Sequence, residues 1–305
     1  MSAPFGNSAV EIPCADGVVL HGDFWPAGVG GSDIVAIINP ATGVLARYYH
    51  RYARYLAENG LNVLTYDYRG IGASRPATLR NCRFRWRDWG EFDFEAALRA
   101  VRVLRPYDRV TVVGHSIGGF LPGLAASSPV IDRMLTVGAQ FAYWPDYARR
   151  RRLGLFLKWH VAMPAVTSLF GYFPGRRLGW LEDLPAGVAY EWSFRRSRME
   201  FSYPAHRRAD ILARFDAFTA PILAVAMHDD EFATSAAVRR ALNYYRAARC
   251  RTAIFFGHDA LGIGPQGHFG LFHSAHRDVF WRGTLSWLRD GKNPWRGNSE
   301  VVYRP

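Results

Sequence analysis

Short apolar runs alternate with longer segments of helical spacing along most of this 305-residue chain. The runs that fit strands covered on both faces are residues 34–38, 61–66, 109–113, 133–139, 221–227 and 251–256. Helical spacing is found at residues 45–59, 89–104, 116–127, 209–215 and 234–248, and in a closing segment that runs through Trp287. This alternation predicts an α/β fold with a mostly parallel sheet and helices on both faces.

The beginning of the chain has a different pattern. Residues 9–13 and 18–25 are apolar or alternating, and they flank the turn sequence Ala-Asp-Gly at residues 15–17. Two such runs around a short turn predict an antiparallel hairpin. We expect this hairpin to cap one edge of the sheet.

The segment at residues 141–205 interrupts the alternation. It is rich in Trp, Tyr, Arg, Gly and Pro and has no clear strand. Its longest apolar stretch, residues 153–173, contains Lys158, His160 and Pro164 and is too polar for a predicted membrane span. We therefore predict a helical insertion over the sheet, with residues 1–140 and 206–305 forming the two parts of the core.

The formal net charge is +12, from 38 Lys and Arg against 26 Asp and Glu. Lys158 and Lys292 are the only lysines, so nearly all of the positive charge is arginine. Nucleic-acid-binding proteins usually concentrate such charge on one face or tail, whereas here it is spread along the chain. Nucleic acid is therefore not an expected partner. Arg149–Arg152 precede an apolar stretch and would permit weak association with an anionic membrane surface, but a solvated charge cluster is favoured.

The cysteines and the N-terminus place further limits on the function class. Cys14, Cys82 and Cys250 are far apart and show neither disulfide-scaffold nor zinc-site spacing. No metal or cofactor is expected. Residues 1–10 lack the basic and apolar regions of a secretory signal, so a cytoplasmic location is expected. The sequence leaves the oligomeric state open.

The candidate nucleophile is Ser116. Residues 114–118, Gly-His-Ser-Ile-Gly, follow an apolar run and fit the G-x-S-x-G pattern of a sharp strand-to-helix turn that exposes a serine Oγ. A side chain at either glycine would collide with the strained backbone of such a turn. Five residues can match by chance, and the alternative is an ordinary glycine-rich turn, so partners are needed.

Suitable partners follow later strands. Asp229 and Asp230 come directly after the run at 221–227, and His268 lies on the loop after the last apolar run. Serine, aspartate and histidine therefore occur in that order at the edge of the sheet where sites collect. A serine hydroxyl needs an imidazole to take its proton, and a carboxylate to orient the imidazole. We prefer Asp230, which lies a few residues into its loop; Asp229 is the alternative acid, and a solvated acidic turn is the non-catalytic interpretation.

Three other histidines compete for the role of base, namely His258, His273 and His276. His268 is preferred because it is flanked by Gly267 and Gly270 and precedes the closing helix, which gives it reach back to the sheet edge.

The oxyanion hole of such a site takes two backbone N–H groups. One belongs to the residue after the nucleophile, Ile117, and the other to the loop after the strand at 34–38. Ala41 is the predicted second donor, and Thr42 is an alternative. A strand-ending Asn39-Pro40 turn without a catalytic part is the third possibility.

Four motifs together resemble the α/β-hydrolase superfamily, and more narrowly the serine aminopeptidase-like predicted bacterial α/β-hydrolases. They are residues 39–43 (Asn-Pro-Ala-Thr-Gly), 66–74 (Tyr-Asp-Tyr-Arg-Gly-Ile-Gly-Ala-Ser), 114–119 (Gly-His-Ser-Ile-Gly-Gly) and 267–270 (Gly-His-Phe-Gly). The resemblance implies a mostly parallel eight-stranded sheet with helices on both faces and a lid between the sixth and seventh strands. It also implies a structural role for Asp67 and Arg69.

The basic insertion favours a carboxylic ester or thioester over a peptide, because a peptidase of this type needs an acidic site for a free amino terminus. The predicted function is a serine hydrolase acting on a small acyl substrate through an acyl-enzyme. Three alternatives remain open, namely an acyltransferase with the same triad, a peptidase, and a catalytically silent ligand-binding protein. The aromatic residues of the insertion either line an acyl pocket or form its own core.

Overall fold

A nine-stranded, mostly parallel sheet organises the chain, which is described by a computed structural model over residues 6–28, 30–80, 82–257, 261–297 and 300–303. The strands are Ser8–Pro13 (β1), Val19–Trp25 (β2), Ile34–Asn39 (β3), Asn62–Tyr66 (β4), Arg109–His115 (β5), Ile131–Val137 (β6), Tyr172–Phe173 (β7), Leu184–Pro185 (β8), Ile222–Met227 (β9), Arg251–Phe256 (β10) and Glu300–Tyr303 (β11). β7 and β8 pair with each other, and the others are ordered β1-β2-β4-β3-β5-β6-β9-β10-β11. Within the nine-stranded sheet the described residues form antiparallel pairings at β1–β2, β2–β4 and β10–β11 and parallel pairings elsewhere, and the separate β7–β8 pair is antiparallel.

Helices cover both faces of the sheet. They are His50–Glu58 (α1), Glu95–Leu104 (α2), Arg152–Phe156 (α3), Met163–Phe170 (α4), Gly175–Leu178 (α5), Ala186–Ser193 (α6), Arg208–Ala217 (α7), Ser235–Leu242 (α8) and Arg282–Asp290 (α9). Successive side chains of a strand point to opposite faces. In β3, Val35 and Ile37 accordingly join one hydrophobic core and Ile34, Ala36 and Ile38 the other.

The predicted fold class is confirmed, and so are the hairpin and the six apolar strands. The eight strands implied by the resemblance are all present. β11 adds a ninth at the edge, antiparallel to β10, which no apolar run had indicated.

The predicted helix at residues 116–127 is wrong. This segment instead forms short 3₁₀ turns at Ser116–Gly119 and Leu121–Leu124, followed by another at Ser128–Val130. Pro122 has no N–H to donate, and glycines at 118, 119 and 123 favour irregular backbone, so an α-helix is not supported here. The helix predicted at 234–248 also ends early, at Leu242.

The insertion between β6 and β9 contains α3 to α6. By length and composition alone, Arg152–Phe170 could cross a membrane, and 28% of its most apolar window is buried in the protein. Its inner face contributes Leu155, Trp159 and Met163 to the larger hydrophobic core. Its outer face exposes apolar side chains, namely Leu153, Leu157, Val161 and Leu169.

Ion pairs and hydrogen bonds fix the insertion to the rest of the chain. Arg240 on α8 donates from Nε to Asp146 Oδ2 at 2.5 Å, at the start of the insertion. Farther along, Arg75 donates to Asp183 at 2.7 Å. The backbone N–H of Glu182 donates to the carbonyl of Gly43, next to the loop after β3, at 3.0 Å. The insertion is therefore attached to the core both at its start and at residues 182–183.

Asp67 and Arg69 have the structural contacts expected of them. The Asp67 carboxylate accepts from the N–H groups of Ala46 at 2.7 Å and Ala73 at 2.9 Å. The Arg69 side chain is 2% exposed and donates from Nε to the fully buried Asp93 at 2.5 Å. Arg69 also donates to Asp16 in the first hairpin turn at 2.6 Å, so one guanidinium joins three segments.

We expect Arg69→Met to lower the free energy of unfolding by about 3 kcal/mol or more, because Asp93 would keep its buried position without a countercharge. Urea denaturation measures this loss. Arg99→Met is the matched control, since Arg99 is 65% exposed in its pair with Glu95 and should change stability little. Equal losses in the two variants would contradict the structural role of Arg69.

Candidate active site

Ser116 lies at the sharp turn directly after β5, with a left-handed φ of 55°. A non-glycine residue in this conformation is strained and persists only where its surroundings enforce it. A Cβ at Gly114 would contact the backbone of Gly119, and a Cβ at Gly118 would contact the carbonyl of Asn39. The two glycines of the motif are therefore required by close backbone approach, as the sequence predicts for a nucleophile elbow.

Asp230 and His268 form a buried pair. His268 Nδ1 lies 2.7 Å from Asp230 Oδ2, and the two side chains are 7% and 2% exposed. The other oxygen, Oδ1, accepts from the N–H groups of Phe232 and Ala233, both at 2.8 Å. Burial acts to raise the pKa of Asp230, but His268 and these two amides outweigh it and hold the pKa below its ordinary value. The carboxylate is thus ionised and aimed at the imidazole.

The neighbouring Asp229 has a different partner. Its Oδ2 accepts from the N–H of Gly267 at 2.9 Å, so it supports the backbone just before His268 instead of the imidazole itself. Of the two adjacent acids, the geometry brings Asp230 to the histidine.

The competing histidines lie in other environments. His276 Nε2 contacts the side chain of Gln266 at 2.7 Å, and His273 Nδ1 accepts from the N–H of Ala275. His258 lies outside the described residues.

His115, next to the candidate nucleophile, connects two loops of the site. Its Nε2 lies 2.8 Å from the carbonyl oxygen of His268, which can only accept, so Nε2 carries the proton. Burial, with a contribution from His268, lowers the pKa of His115 to about 3, so the ring is neutral at pH 7. Its Nδ1 therefore accepts from the hydroxyl of Tyr49 at 2.7 Å, and Tyr49 Oη in turn accepts from the N–H of Ala41 at 3.0 Å.

This chain of hydrogen bonds bears on the oxyanion hole. The Ala41 N–H, the predicted second donor, is occupied by Tyr49 in this structure. The N–H groups of Thr42 and Ile117 have no hydrogen-bond partner among the described residues. Asn39 is structural, because its Nδ2 donates to the carbonyl of Gly118 at 3.2 Å.

Gln140 is a site residue that the sequence analysis missed. Its Nε2 donates to Ser116 Oγ at 3.3 Å, and its Oε1 accepts from the N–H of Ala142. Within the described chain, this is the hydrogen bond that Ser116 Oγ makes, and the His268 ring does not bond to it. Contacts of this kind are often long before substrate binds. A polar residue just beyond β6, at the carboxyl edge of the sheet, was the available signal.

Ser116, Gln140 and His268 open into one cavity of about 460 Å³, a volume within the range of small-molecule sites. The core contributes Ala41, Thr42, Trp86, Glu231, Phe232 and Phe269 to its wall, and the insertion contributes Arg150, Arg151, Gly154, Leu155, Lys158, Trp159, Trp180, Leu181 and Trp192. Among the described residues no group of three or more His, Cys, Asp or Glu is arranged to hold a metal ion. The arrangement suits nucleophilic attack by an activated serine on a ligand held under the insertion.

The sequence model of the alpha/beta hydrolase family matches residues 18–281, and the chain belongs to this family. No curated protein matches the chain. An esterase from Pyrococcus furiosus is similar at 18% identity with a TM-score of 0.61, over 95% of this chain and 92% of that one.

Two further solved structures are similar. One is the esterase domain of a Rhodothermus marinus protein, at 15% identity with a TM-score of 0.53, over 90% of this chain and 99% of that one. The other is an α/β serine hydrolase without lid from Xanthomonas campestris, at 16% identity with a TM-score of 0.51, over 97% of both chains. At these identities the similarity concerns the fold.

The neutral His115 makes stability depend on pH. Its pKa falls from 6.5 in the unfolded chain to about 3 in the folded protein, so between these values the unfolded state binds a proton that the folded state does not. Stability from this group is complete above pH 6.5 and is lost as the pH falls toward 3. Below pH 6.5 we expect the free energy of unfolding of the wild type to fall by roughly 1 kcal/mol more per pH unit than that of His115→Gln.

Urea denaturation at pH 7 and pH 5 checks this expectation. His228→Gln, which removes an exposed histidine, is the control for loss of an imidazole elsewhere. The same pH dependence in wild type and His115→Gln would show that His115 is not buried in its neutral form.

Proposed function

We propose that this protein is a serine hydrolase that cleaves a carboxylic ester or thioester through an acyl-enzyme intermediate. The observation that carries the proposal is the buried Asp230–His268 pair, which shares one cavity with a serine held in a left-handed turn. Membership of the alpha/beta hydrolase family supports a hydrolase. No cofactor takes part in the proposed reaction.

In the proposed reaction Ser116 Oγ attacks the acyl carbonyl while its proton passes to His268 Nε2. Asp230 accepts the hydrogen bond of His268 Nδ1 and stabilises the imidazolium that forms. The proton then passes from Nε2 to the departing alcohol or thiol. Water, activated by the same imidazole, attacks the acyl-serine and releases the acid.

The negative oxygen of each tetrahedral intermediate needs two donors. We assign these to the N–H groups of Ile117 and Thr42, which have no partner among the described residues. Ala41 remains the donor predicted from the sequence, and it would have to leave Tyr49 Oη to serve.

We further propose that residues 141–205 act as a lid, with residues 1–140 and 206–305 forming the catalytic core. Nine residues of this segment line the cavity together with Ser116. Trp159 and Trp192 stack at 4.6 Å between ring centroids, and Trp86 of the core lies parallel to Trp192 at 6.2 Å. These indole faces would provide an apolar wall for an acyl group.

Ser116→Ala should abolish esterase activity, with a loss of roughly 10³-fold or more in kcat, because the attacking oxygen of the proposed acyl-enzyme is removed. A chain-length series of p-nitrophenyl esters measures this loss. Labelling by a fluorophosphonate probe should disappear in the same variant. Full activity in Ser116→Ala would contradict the proposal, and an unreactive Ser116 in folded wild-type protein would favour a silent ligand-binding protein.

Asp230→Asn should reduce kcat by about 10²-fold to 10⁴-fold, because an amide cannot stabilise the imidazolium. Asp229→Asn is the matched control, since an amide oxygen can still accept from Gly267 N–H and the loss should be far smaller. The two kcat values, measured on one ester, identify the acid. A larger loss in Asp229→Asn would assign the role to Asp229.

A further inference from the structure

The cavity wall contributed by the insertion carries an excess of positive charge. Arg150, Arg151 and Lys158 line the cavity, and Glu231 is the carboxylate that lines it with them. Glu231 is already paired, because Arg151 Nε lies 2.8 Å from its Oε1. Among the described residues, no carboxylate lies within ion-pair distance of Lys158 or Arg150. These two cations of the site therefore have no ion-pair partner among the described residues.

Lys158 is placed where a ligand would meet it. It lies on the π-helical turn Leu157–Ala162, and its Nζ is 4.6 Å from the ring centroid of Trp159 and 4.4 Å from that of Trp180. Both indoles line the cavity. Aromatic faces attract an ammonium group, but they do not accept hydrogen bonds from its three N–H groups as an anionic oxygen does. The hydrogen-bonding capacity of Nζ therefore remains available to a ligand.

The surroundings of Lys158 disfavour its charge. Burial and, second, repulsion by Arg151 lower the pKa of the Lys158 ammonium, and the smaller attraction by Glu231 does not offset them. The attraction of a bound anion would offset both effects and stabilise the charged ammonium. A cationic substrate would instead be repelled by the charges of Lys158 and Arg150, in spite of the aromatic walls.

We propose that Lys158, assisted by Arg150, forms a subsite for an anionic group, such as a carboxylate, that the substrate carries at the end of an apolar spacer. The spacer would lie along the tryptophan wall, with the scissile carbonyl at Ser116. This inference rests on the proposed ester hydrolysis and specifies its substrate class, namely an acidic ester. The carboxylate belongs to either the acyl chain or the alcohol.

Two matched substrate pairs test the subsite and locate the anion. For the acyl side, the p-nitrophenyl monoester of adipic acid is compared with p-nitrophenyl hexanoate. For the alcohol side, 4-(hexanoyloxy)benzoate is compared with phenyl hexanoate. We expect wild type to prefer the acidic member of one pair by about tenfold in kcat/KM. The preference should decline as salt is added.

Lys158→Gln should reduce that preference ratio to near one, and Lys158→Arg should retain most of it because the charge is kept. Lys292→Gln, which removes the only other lysine of the chain, should leave the ratio unchanged. A wild-type preference for neither acidic ester, or an undiminished ratio in Lys158→Gln, would overturn the subsite while leaving ester hydrolysis intact.

Binding without turnover separates this inference from the proposed reaction. If the anion belongs to the acyl side, calorimetry with Ser116→Ala should show that adipate binds more tightly than hexanoate. If it belongs to the alcohol side, 4-hydroxybenzoate should bind more tightly than phenol. Either preference should disappear when Lys158→Gln is added. Its persistence in the double variant would contradict the role of Lys158, even if no ester proves to be a substrate.

Discussion

The left-handed backbone at Ser116 is the constraint on which the rest of the site depends. A φ of 55° costs a non-glycine residue about 1–3 kcal/mol, so neighbouring structure must hold it. β3 and β5 pair in parallel with Asn39 opposite Gly114, which brings the end of β3 against the turn. Asn39 then donates to the carbonyl of Gly118, and the absence of a Cβ at Gly118 allows the two backbones to approach this closely. Asn39, at the end of β3, thus helps to hold the backbone conformation of the turn after β5.

The same turn also positions the loops that complete the site. His115, the last residue of β5 before this turn, is fully buried. His115 holds the carbonyl of His268 and, through Tyr49, the amide of Ala41. A protonated ring would lose the acceptor that Tyr49 needs. The low pKa of His115 therefore matters for the structure. Because the imidazole is neutral, it can connect the turn to the loop of His268 and to the loop after β3.

The strands could be predicted from local pattern because each buried strand is largely apolar. Ser116, Asp230 and His268 could be named as candidates because they follow the ends of strands. Contacts between distant segments were beyond such reasoning. Tyr49 and His115 are 66 positions apart, and nothing in either segment indicates that one hydroxyl would occupy the amide of Ala41. Likewise, the choice of Asp230 over Asp229 depends on which of two adjacent side chains faces His268, a matter of loop backbone. The helix predicted after Ser116 does not form, because Pro122 and the glycines around it disfavour an α-helix.

Net charge alone says little about the site, because many of the arginines are already paired. Arg240 with Asp146, Arg75 with Asp183 and Arg207 with Glu91 attach segments to one another, and the charge of each is balanced locally. Because the charges within each pair balance each other, these arginines attract no specific ligand. Lys158 differs because its neighbours are two indole rings, which do not balance its charge. The unbalanced positive charge of the cavity wall, and not the net charge of +12, therefore bears on substrate choice. In our proposal, the segment that lines the cavity beside the candidate nucleophile also provides the charge by which a substrate is selected.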